Sequence, residues 1–370
     1  MKIKAVRFAK LKVPLVTPFK TALREVSFIE DLVVLIDTEC GQIGYGSAAS
    51  TPVITGDTHQ GMIAVIQQFI APKLVRQEIE NINQLTHIIQ STVVGNSSAK
   101  AALELAVYDL WGKLYQAPLY KLLGGGKSAL KTDITISVDN IDKMLSDCQR
   151  AVEQGFDVLK IKIGNNLNQD IERVKAIHAG FAAKAQLRLD VNQGWNAKQT
   201  VYALQQLEQA GVVLELVEQP VKSSDIQGLK YITERVNTPI MADESAFSPK
   251  QVIQLLELGA VDIINIKLMK TGGLSRAIEI ANITAQYQAE CMIGCMLEGS
   301  IAVAGAAHLA SAKAQQISKI DLDGPALGQY DPVQGGVEFS GPQIRLSDAP
   351  GLGIESITGL ELITNGVWPA

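Results

Sequence analysis

The sequence has few of the residues on which several common kinds of site depend. Only four histidines occur in 370 residues, and none is paired with another or stands at the end of a predicted strand. Hydrolytic zinc and binuclear metal sites rely on histidine, so the sequence disfavours both. The four cysteines form no Cys-x-x-Cys pair and no disulfide framework, which favours a location in the reducing cytoplasm.

Long apolar runs and clusters of basic residues are absent as well. The chain has no run of about 20 apolar residues, and its first segment lacks the apolar core of a signal peptide. The formal net charge is −5, with Lys and Arg dispersed along the chain. Nucleic acids and anionic membranes bind clustered positive charge. We therefore expect neither nucleic acid nor membrane as a partner.

One strand-like segment departs from the usual pattern of a buried strand. Residues 158–163 read Val-Leu-Lys-Ile-Lys-Ile. Because side chains alternate along a strand, Lys160 and Lys162 lie on one face and apolar side chains on the other. In an edge strand both lysines would simply be solvated. The regular pattern of reactive residues that follows along the chain argues against that interpretation.

Polar or charged residues stand at the ends of successive apolar runs after this segment. Their spacing is close to the length of one strand, one helix and two short loops. At intervals of 24 to 28 residues, these residues are Lys162, Asp190, Glu218, Asp243, Lys267, Cys295 and Asp321. Strands alternating with helices at this period predict parallel βα units that close into a barrel. Its active site would lie at the C-terminal ends of the strands.

The parts of the chain before and after this repeat have a different character. Strand-like segments at 2–13, 32–38 and 43–45, a polar loop at 17–26 and a helix with Ser97 or Ser98 as N-cap come first. They predict an antiparallel sheet with helices packed on it. The chain is therefore divided into an N-terminal capping domain at 1–126, the barrel at 127–330 and a C-terminal segment at 331–370 that returns to the cap.

Three strand-end carboxylates are predicted to converge. Asp190, Glu218 and Asp243 come from consecutive strands and would repel one another without a cation. Mg²⁺, which prefers oxygen ligands, is the natural counter-ion, and Mn²⁺ is expected to substitute for it. A role as a helix N-cap would explain any one of these carboxylates, but it does not explain why all three stand at the ends of consecutive strands.

The strand-end lysines predict acid–base chemistry. Lys162 and Lys267 end the second and sixth strands, so they face each other across the barrel with the metal site between them. Burial and a neighbouring cation both lower the pKa of a lysine and make a neutral amine available as a base. Two such bases can remove a proton from one face of a substrate carbon and return it to the other, while a metal stabilises the enediolate. This is racemase or epimerase chemistry, with Lys160 as a second cation for the substrate carboxylate.

The motifs together resemble a known family. Lys-Ile-Lys at 160–162, Asp-Val-Asn at 190–192, Glu-Gln-Pro at 218–220, Asp-Glu-Ser at 243–245 and Lys267 are similar to the muconate-lactonising subgroup of the enolase superfamily. The resemblance covers essentially the whole chain. It implies an α/β fold, a modified (β/α)7β barrel of the TIM type. An α+β capping domain would be formed by the N-terminal part together with the C-terminal segment.

Within that subgroup the chain is most similar to the dipeptide epimerases, which interconvert L-Ala-L-Glu and L-Ala-D-Glu. The pair Asp321 and Asp323 carries this resemblance, since two anions on one face at the end of the last strand can bind a substrate ammonium. The segments 17–24 and 54–57 are also similar to that group. The resemblance implies a small-molecule dipeptide substrate that is inverted at the α-carbon of its C-terminal residue.

Further residues complete the predicted site. Arg24 in the cap loop would pair with an acidic second residue, whereas Phe19, Leu23 and Ile54 would cover a hydrophobic or aromatic one. The sequence leaves that choice open. The remaining substrate-binding candidates are Thr135, Cys295 and Glu298, and the residues expected to support the metal ligands are Asn192 and Glu244.

Other functions compete with this one. o-Succinylbenzoate synthase, N-acylamino acid racemase and muconate cycloisomerase belong to the same subgroup, but their substrates carry no free ammonium for the Asp pair. A non-catalytic binding scaffold would be favoured by the loss of a base or a metal ligand, and this sequence retains all of them. Assembly into a homo-oligomer is compatible with the sequence, which does not specify it.

A glycine-containing turn after the sixth strand also allows two interpretations. Lys270-Thr271-Gly272-Gly273 follows that strand and opens a helix, so an anion could bind at the helix N-terminus. An ordinary connection between a strand and a helix is the interpretation that we favour.

Overall fold

The computed structural model describes residues 1–21 and 25–363. Its N-terminal part is an antiparallel sheet of β1 (Ile3–Lys20), β2 (Glu25–Thr38) and β3 (Ile43–Ala49). The helices that follow are α1 (His59–Val65), which continues as a π-helical turn (Ile66–Ile70), α2 (Ala71–Leu74), α3 (Ile82–Thr92), α4 (Ser97–Leu114) and α5 (Leu119–Leu122). This confirms the predicted cap of a sheet with helices.

Two local predictions in the cap were wrong. Residues 17–20 and 25–26 of the predicted loop are strand, because β1 and β2 stay paired as far as Phe19 with Val26 and Lys20 with Glu25. The side chains of these residues are exposed or half-buried and none is fully buried, so the alternation that reveals a half-buried strand is missing. Helix α4 begins one residue early, with Asn96 in the left-handed conformation as its N-cap.

Helix α4 lies unusually close to the cap sheet. A Cβ atom on Gly46 of β3 would stand 1.9 Å from the carbonyl oxygen of Ala102, so only glycine permits this approach. The helix is buried along almost its whole length, and its buried residues include charged side chains such as Glu104 and Asp109. Buried charges require polar partners, and those of α4 lie outside the cap sheet as well as within it.

The central part of the chain is a barrel of eight parallel strands. Its strands are β5 (Ile134–Ile136), β6 (Val158–Lys162), β7 (Gln186–Asp190), β8 (Leu216–Glu218), β9 (Ile240–Ala242), β10 (Ile263–Lys267), β11 (Glu290–Gly294) and β12 (Ile317–Asp321). The helices between them are α6 (Ile141–Glu153), α7 (Leu167–Phe181), α8 (Ala197–Gln209), α9 (Ile226–Thr233), α10 (Pro249–Glu257), α11 (Leu268–Thr271) with α12 (Leu274–Gln286), and α13 (Ser300–Ala312). A short 3-10 helix (Gly324–Leu327) follows β12. The predicted (β/α)7β barrel is therefore confirmed.

The strand register brings the reactive residues to one level. Lys162 pairs with Asp190, which in turn pairs with Glu218, and Gly294 pairs with both Lys267 and Asp321. The ends of the strands therefore lie at one level and form the floor of the barrel opening.

The starts of several barrel helices are fixed by N-cap side chains. Several loops end in a side chain that caps the next helix, and these caps are Asn140, Asn166, Asn196, Asp225 and Ser248.

The C-terminal segment contacts both the cap and the barrel domain. A strand before the barrel, β4 (Ala129–Lys131), joins the sheet of two C-terminal strands. The C-terminal strands are β13 (Val333–Gly335), β14 (Val337–Ser340), β15 (Gln343–Leu346), β16 (Ile354–Ile357) and β17 (Glu361–Leu362), the last of which pairs with β1. The exact domain boundaries stay predictions. None of the helices in the described ranges has the length and apolarity needed to cross a membrane.

Candidate active site

A cavity that is partly open to solvent lies between the cap and the C-terminal ends of the barrel strands, with an empty volume of about 600 Å³ that includes this open solvent. Its polar walls come from the barrel, and its apolar walls come from the cap hairpin, the cap segment after β3 and the loops after β11 and β12. The lining residues are Phe19, Thr21, Val53, Ile54, Thr135, Lys160, Lys162, Asn192, Asp243, Lys267, Cys295, Met296, Leu297, Asp321, Asp323, Gly324 and Leu327. The barrel floor and the cap roof thus enclose one site.

Lys160 and Lys162 project from β6 into this cavity and are both buried. Lys160 Nζ lies 2.6 Å from Glu218 Oε2 and 2.7 Å from Asp321 Oδ2. Lys162 Nζ lies 2.5 Å from Asp190 Oδ2. A buried ammonium is tolerated only with such partners, so the two lysines are part of a charged network and are not solvated edge residues.

Lys267 approaches the same network from the opposite side of the barrel. Its Nζ lies 2.9 Å from Asp243 Oδ2 and 3.8 Å from Glu218 Oε1. Burial acts to lower the pKa of Lys267, but the nearby carboxylates of Asp243 and Glu218 outweigh it, and the pKa lies above its usual range. The expectation of a lowered pKa for Lys267 is therefore wrong for the described residues, because the carboxylates face the ammonium directly.

The three strand-end carboxylates are completely buried and respond differently to their neighbours. Burial opposes ionisation of Asp190, yet the adjacent lysines, led by Lys162, hold its pKa below the usual range. Asp243 is likewise lowered in pKa by Lys267 and Lys270 despite its burial. For Glu218, burial and the neighbouring Asp190 dominate and raise the pKa to about 7. The nearby lysines therefore offset the cost of burying a negative charge at Asp190 and Asp243, but they do not offset it at Glu218.

The donor chemistry of these carboxylates fits a divalent cation. Glu218 Oε2 and Asp243 Oδ1 are buried and accept no hydrogen bond of acceptable geometry, although a lysine Nζ stands 2.6 Å from each. Within residues 1–21 and 25–363, no three acidic, histidine or cysteine side chains are arranged to hold a metal directly. The lysine ammonium groups lie among the carboxylates instead, so binding requires them to move aside. Hard oxygen donors with unused acceptor capacity suit Mg²⁺.

Asp321 and Asp323 form a second acidic group at the end of β12. Asp323 Oδ2 accepts a hydrogen bond of 2.6 Å from the backbone N–H of Thr135, and Asp321 Oδ2 accepts one of 2.7 Å from Lys160. Burial, followed by the charge of Asp321, raises the pKa of Asp323 to about 6. Two buried carboxylates side by side, with one ammonium already paired to them, can accept a second cationic group.

Two family models match the chain. The description "Mandelate racemase / muconate lactonizing enzyme, N-terminal domain" matches residues 3–124, and "Enolase C-terminal domain-like" matches residues 143–357. This chain belongs to the mandelate racemase/muconate lactonizing enzyme family. The resemblance to the enolase superfamily that the sequence suggested is confirmed.

Curated relatives in this family include several epimerases. The chain is 48% identical to an L-Ala-D/L-Glu epimerase of Clostridium acetobutylicum, over 96% of this chain and 99% of that protein. It is 42% identical to a hydrophobic dipeptide epimerase of Enterococcus faecalis, over 96% of this chain and 99% of that protein. Epimerases are isomerases, and the similarity to these relatives makes this chain an isomerase as well.

Solved structures of related epimerases have the same fold as this chain. The substrate-liganded L-Ala-D/L-Glu epimerase of Bacillus subtilis has a TM-score of 0.95 and 41% identity, with 97% of this chain and 100% of that chain covered. The Enterococcus faecalis dipeptide epimerase with Mg and L-Leu-L-Tyr has a TM-score of 0.92 and 41% identity, with 96% and 100% covered. The family's fold is therefore reproduced over nearly the whole chain.

Most of the site residues predicted from the sequence lie in this cavity or beside it. Thr135 and Cys295 line the cavity, whereas Glu298 is buried beside it and accepts a hydrogen bond from the backbone N–H of Met296. Asn192 lines the cavity and its backbone N–H donates to Asp190. Arg24 lies outside the described residues.

Glu244 lies next to the predicted ligand Asp243 and is not among the residues that line the cavity. Both of its carboxylate oxygens are buried without a hydrogen bond from any described residue. Burial and the charge of Asp243 raise the pKa of Glu244 to about 8. Its proximity to the carboxylate network is consistent with the supporting role expected for it.

Sequence reasoning missed Lys270 and part of the apolar wall. Lys270 is buried, with Nζ 2.5 Å from the carbonyl oxygen of Asp243 and 2.8 Å from that of Asn265. The sequence signal was available, because a lysine three residues after a strand-end lysine falls on the same side of one helical turn. Met296 and Leu297, which directly follow Cys295, also line the cavity. Their position just past a strand end was the only available signal.

Proposed function

We propose that the protein is a dipeptide epimerase. It would invert the α-carbon of the C-terminal residue of an L-Ala-L-Xaa dipeptide by two-base proton transfer. The observation that carries this proposal is the placement of Lys162 and Lys267 on opposite barrel strands, both opening into one cavity with three buried carboxylates between them. Relatives named as L-Ala-D/L-Glu and hydrophobic dipeptide epimerases support it.

The lysines act as acid and base in turn. One amine removes the α-proton, and the ammonium on the other side delivers a proton to the opposite face, so the configuration inverts. Asp190, Glu218 and Asp243 would hold Mg²⁺, as Mg-bound relatives suggest. That ion would offset the charge of the substrate carboxylate and of its own ligands, which leaves burial free to favour a neutral Lys267 amine. A positioned base of this kind accelerates proton transfer roughly a hundred- to ten-thousandfold.

The two ends of the dipeptide would be held by opposite charges. Asp321 and Asp323 would accept hydrogen bonds from the N-terminal ammonium, while Lys160 and the metal would hold the C-terminal carboxylate. This arrangement places the second residue's α-carbon between the two bases. An N-acyl substrate would leave the buried Asp pair without its cation, which argues against an N-acylamino acid racemase or o-succinylbenzoate synthase.

The second residue of the dipeptide is proposed to be Glu or a hydrophobic or aromatic residue. The cavity wall formed by Phe19, Val53, Ile54, Met296 and Leu297 favours an apolar side chain. Arg24 would instead pair with an acidic one. Mn²⁺ is proposed to replace Mg²⁺, since it accepts the same oxygen ligands. A homo-oligomeric state and a cytoplasmic location stay predictions.

The test is a panel of dipeptides incubated with the protein in deuterated water. We expect exchange of the C-terminal residue's α-proton and formation of the second diastereomer from L-Ala-L-Glu, L-Ala-L-Leu or L-Ala-L-Tyr. The N-acetylated forms of the same dipeptides are the matched control and should react poorly. Exchange confined to N-acylated amino acids would instead support the racemase alternative.

A further inference from the structure

One buried carboxylate of the cap accepts hydrogen bonds from a helix of the barrel domain and does not line the cavity. Glu104 is on α4 and has no solvent exposure. Its Oε2 accepts a hydrogen bond of 2.8 Å from the backbone N–H of Ser275, and its Oε1 accepts one of 2.6 Å from Ser275 Oγ. Gln90 Nε2 also donates to Oε1, at 2.7 Å. A cap residue therefore supplies the anion at the N-terminus of α12, the position at which an external anion was considered from the sequence.

The turn before α12 is built around this carboxylate. Gly272 and Gly273 both have positive φ, and a Cβ atom on Gly273 would stand 2.5 Å from Glu104 Oε2. Gln90 Nε2 additionally donates to the carbonyl oxygen of Gly272 at 2.7 Å. Glycine is thus required by the close approach of the cap side chains as well as by the backbone conformation.

A single helical turn connects this contact to the Lys267 base. Helix α11 begins directly after Lys267, and the backbone N–H groups of Gly272 and Gly273 both donate to the carbonyl oxygen of Leu268, at 2.9 and 3.0 Å. Within the same turn, Lys270 donates to the carbonyl oxygens of Asp243 and Asn265. The segment from Lys267 to α12 is therefore held at both ends and has few ways to adjust.

We propose that Glu104 is a positioning residue for the Lys267 base, acting through Ser275 and the Gly272-Gly273 turn. This inference rests on the proposed two-base function. The other base is anchored differently. The loop after Lys162 is held within the barrel by Asp170, whose Oδ2 accepts a hydrogen bond of 3.0 Å from the backbone N–H of Gly164. Perturbing Glu104 should therefore affect one face of the substrate and spare the other.

The experiment measures α-proton exchange in deuterated water separately from each diastereomer of a dipeptide substrate, with the metal-loaded protein. The variants Lys162→Ala and Lys267→Ala first establish which diastereomer depends on which base. In Glu104→Gln, exchange that depends on Lys267 should fall roughly ten- to a hundredfold, because small misplacements of a catalytic group have large costs. Exchange that depends on Lys162 should change less than about threefold.

A matched control comes from the same helix. Asp109 is also buried on α4 and accepts hydrogen bonds from the backbone N–H groups of Tyr45 and Leu352, at 2.9 and 2.8 Å, and from Lys113 Nζ at 2.7 Å. None of these three partners belongs to the segment from Lys267 to α12. Asp109→Asn should lower thermal stability while leaving the ratio of the two exchange rates unchanged. A general loss of cap packing would move both exchange rates together.

Ser275→Ala provides a second, milder variant that keeps the fold if Glu104→Gln does not. It removes only the hydroxyl hydrogen bond to Glu104, and it should shift the exchange ratio in the same direction. If the wild type exchanges both diastereomers and these variants leave the ratio at its wild-type value, the positioning role is overturned and the proposed function stands. A wild type that exchanges no dipeptide overturns both.

Discussion

Replacing Asp323 by Asn tests how the substrate's N-terminus is recognised. Asp323 is 4% exposed, and its Oδ2 already accepts the hydrogen bond from the backbone N–H of Thr135. In the variant the amide oxygen is expected to keep that bond, which turns the NH₂ group toward the substrate ammonium. A charge-assisted hydrogen bond contributes about 1.5–3 kcal/mol, so kcat/KM for a free dipeptide should fall roughly ten- to a hundredfold. The juxtaposed donor groups favour the upper end of that range.

The pH dependence gives an independent signature of the same carboxylate. Because burial and Asp321 raise the pKa of Asp323 to about 6, its negative charge is lost as pH falls below that value. The kcat/KM for free dipeptides should decrease over this interval, and Asp323→Asn should remove the part of the decrease that this group causes. A carboxyl group with a raised pKa also destabilises the folded protein above that pKa. The variant should therefore be more stable at neutral pH, by at most about 3 kcal/mol.

The assay compares kcat/KM for L-Ala-L-Xaa dipeptides and their N-acetylated forms in the wild type and in Asp323→Asn. Stability is followed by chemical denaturation at pH 7 and at pH 5. N-acetylated dipeptides present no ammonium, so their slow turnover should be nearly unaffected by the substitution. An equal loss for both substrate forms would refute ammonium recognition by Asp323 and leave it a role in orienting Thr135.

Four further predictions concern the metal, the two lysine bases, Arg24 and the packing of the cap. Removing divalent metal with a chelator should abolish α-proton exchange and adding Mg²⁺ should restore it; exchange at full rate after stripping would contradict the metal assignment. Lys162→Ala and Lys267→Ala should each lower epimerisation roughly a hundred- to ten-thousandfold, while retaining exchange of one diastereomer; equal exchange of both would exclude the two-base mechanism. Arg24→Ala should reduce kcat/KM for L-Ala-L-Glu but not for L-Ala-L-Leu if Arg24 selects an acidic residue; unchanged preference would remove Arg24 from the site. Gly46→Ala places a Cβ atom 1.9 Å from a carbonyl oxygen of α4 and should destabilise the cap by roughly 1–3 kcal/mol or more in denaturant unfolding. Gly180→Ala, with its nearest neighbour 4.0 Å away, is the control and should be nearly neutral.

The barrel could be predicted from the sequence because its pattern is local and repeated. Each βα unit places one reactive residue where an apolar run ends, and the spacing of those ends is set by the lengths of a strand and a helix. Parallel strands must then bring these ends to the same edge. The observed pairing of Lys162 with Asp190 and of Asp190 with Glu218 reflects that constraint.

The cap was less predictable where its pattern is weak. The paired strand ends at residues 17–20 and 25–26 have exposed or half-buried side chains, so no periodicity distinguishes them from a loop. The protonation preference of Lys267 could not be obtained either. It depends on which carboxylates face the ammonium at a few ångströms, and Asp243 and Glu218 are 24 and 49 residues away in the chain.

The sequence by itself determined the fold class, the order of the strands and the set of strand-end groups, since these follow from periodicity and from the fixed direction of parallel strands. Only the tertiary structure decided which cap residues touch that set. In the sequence, Glu104 is an ordinary charged residue on a predicted helix. In the structure, it accepts a hydrogen bond just past the turn that follows Lys267, a residue 163 positions further along the chain. Contacts of that kind arise from how two separately encoded units pack, and no local pattern in either unit specifies them.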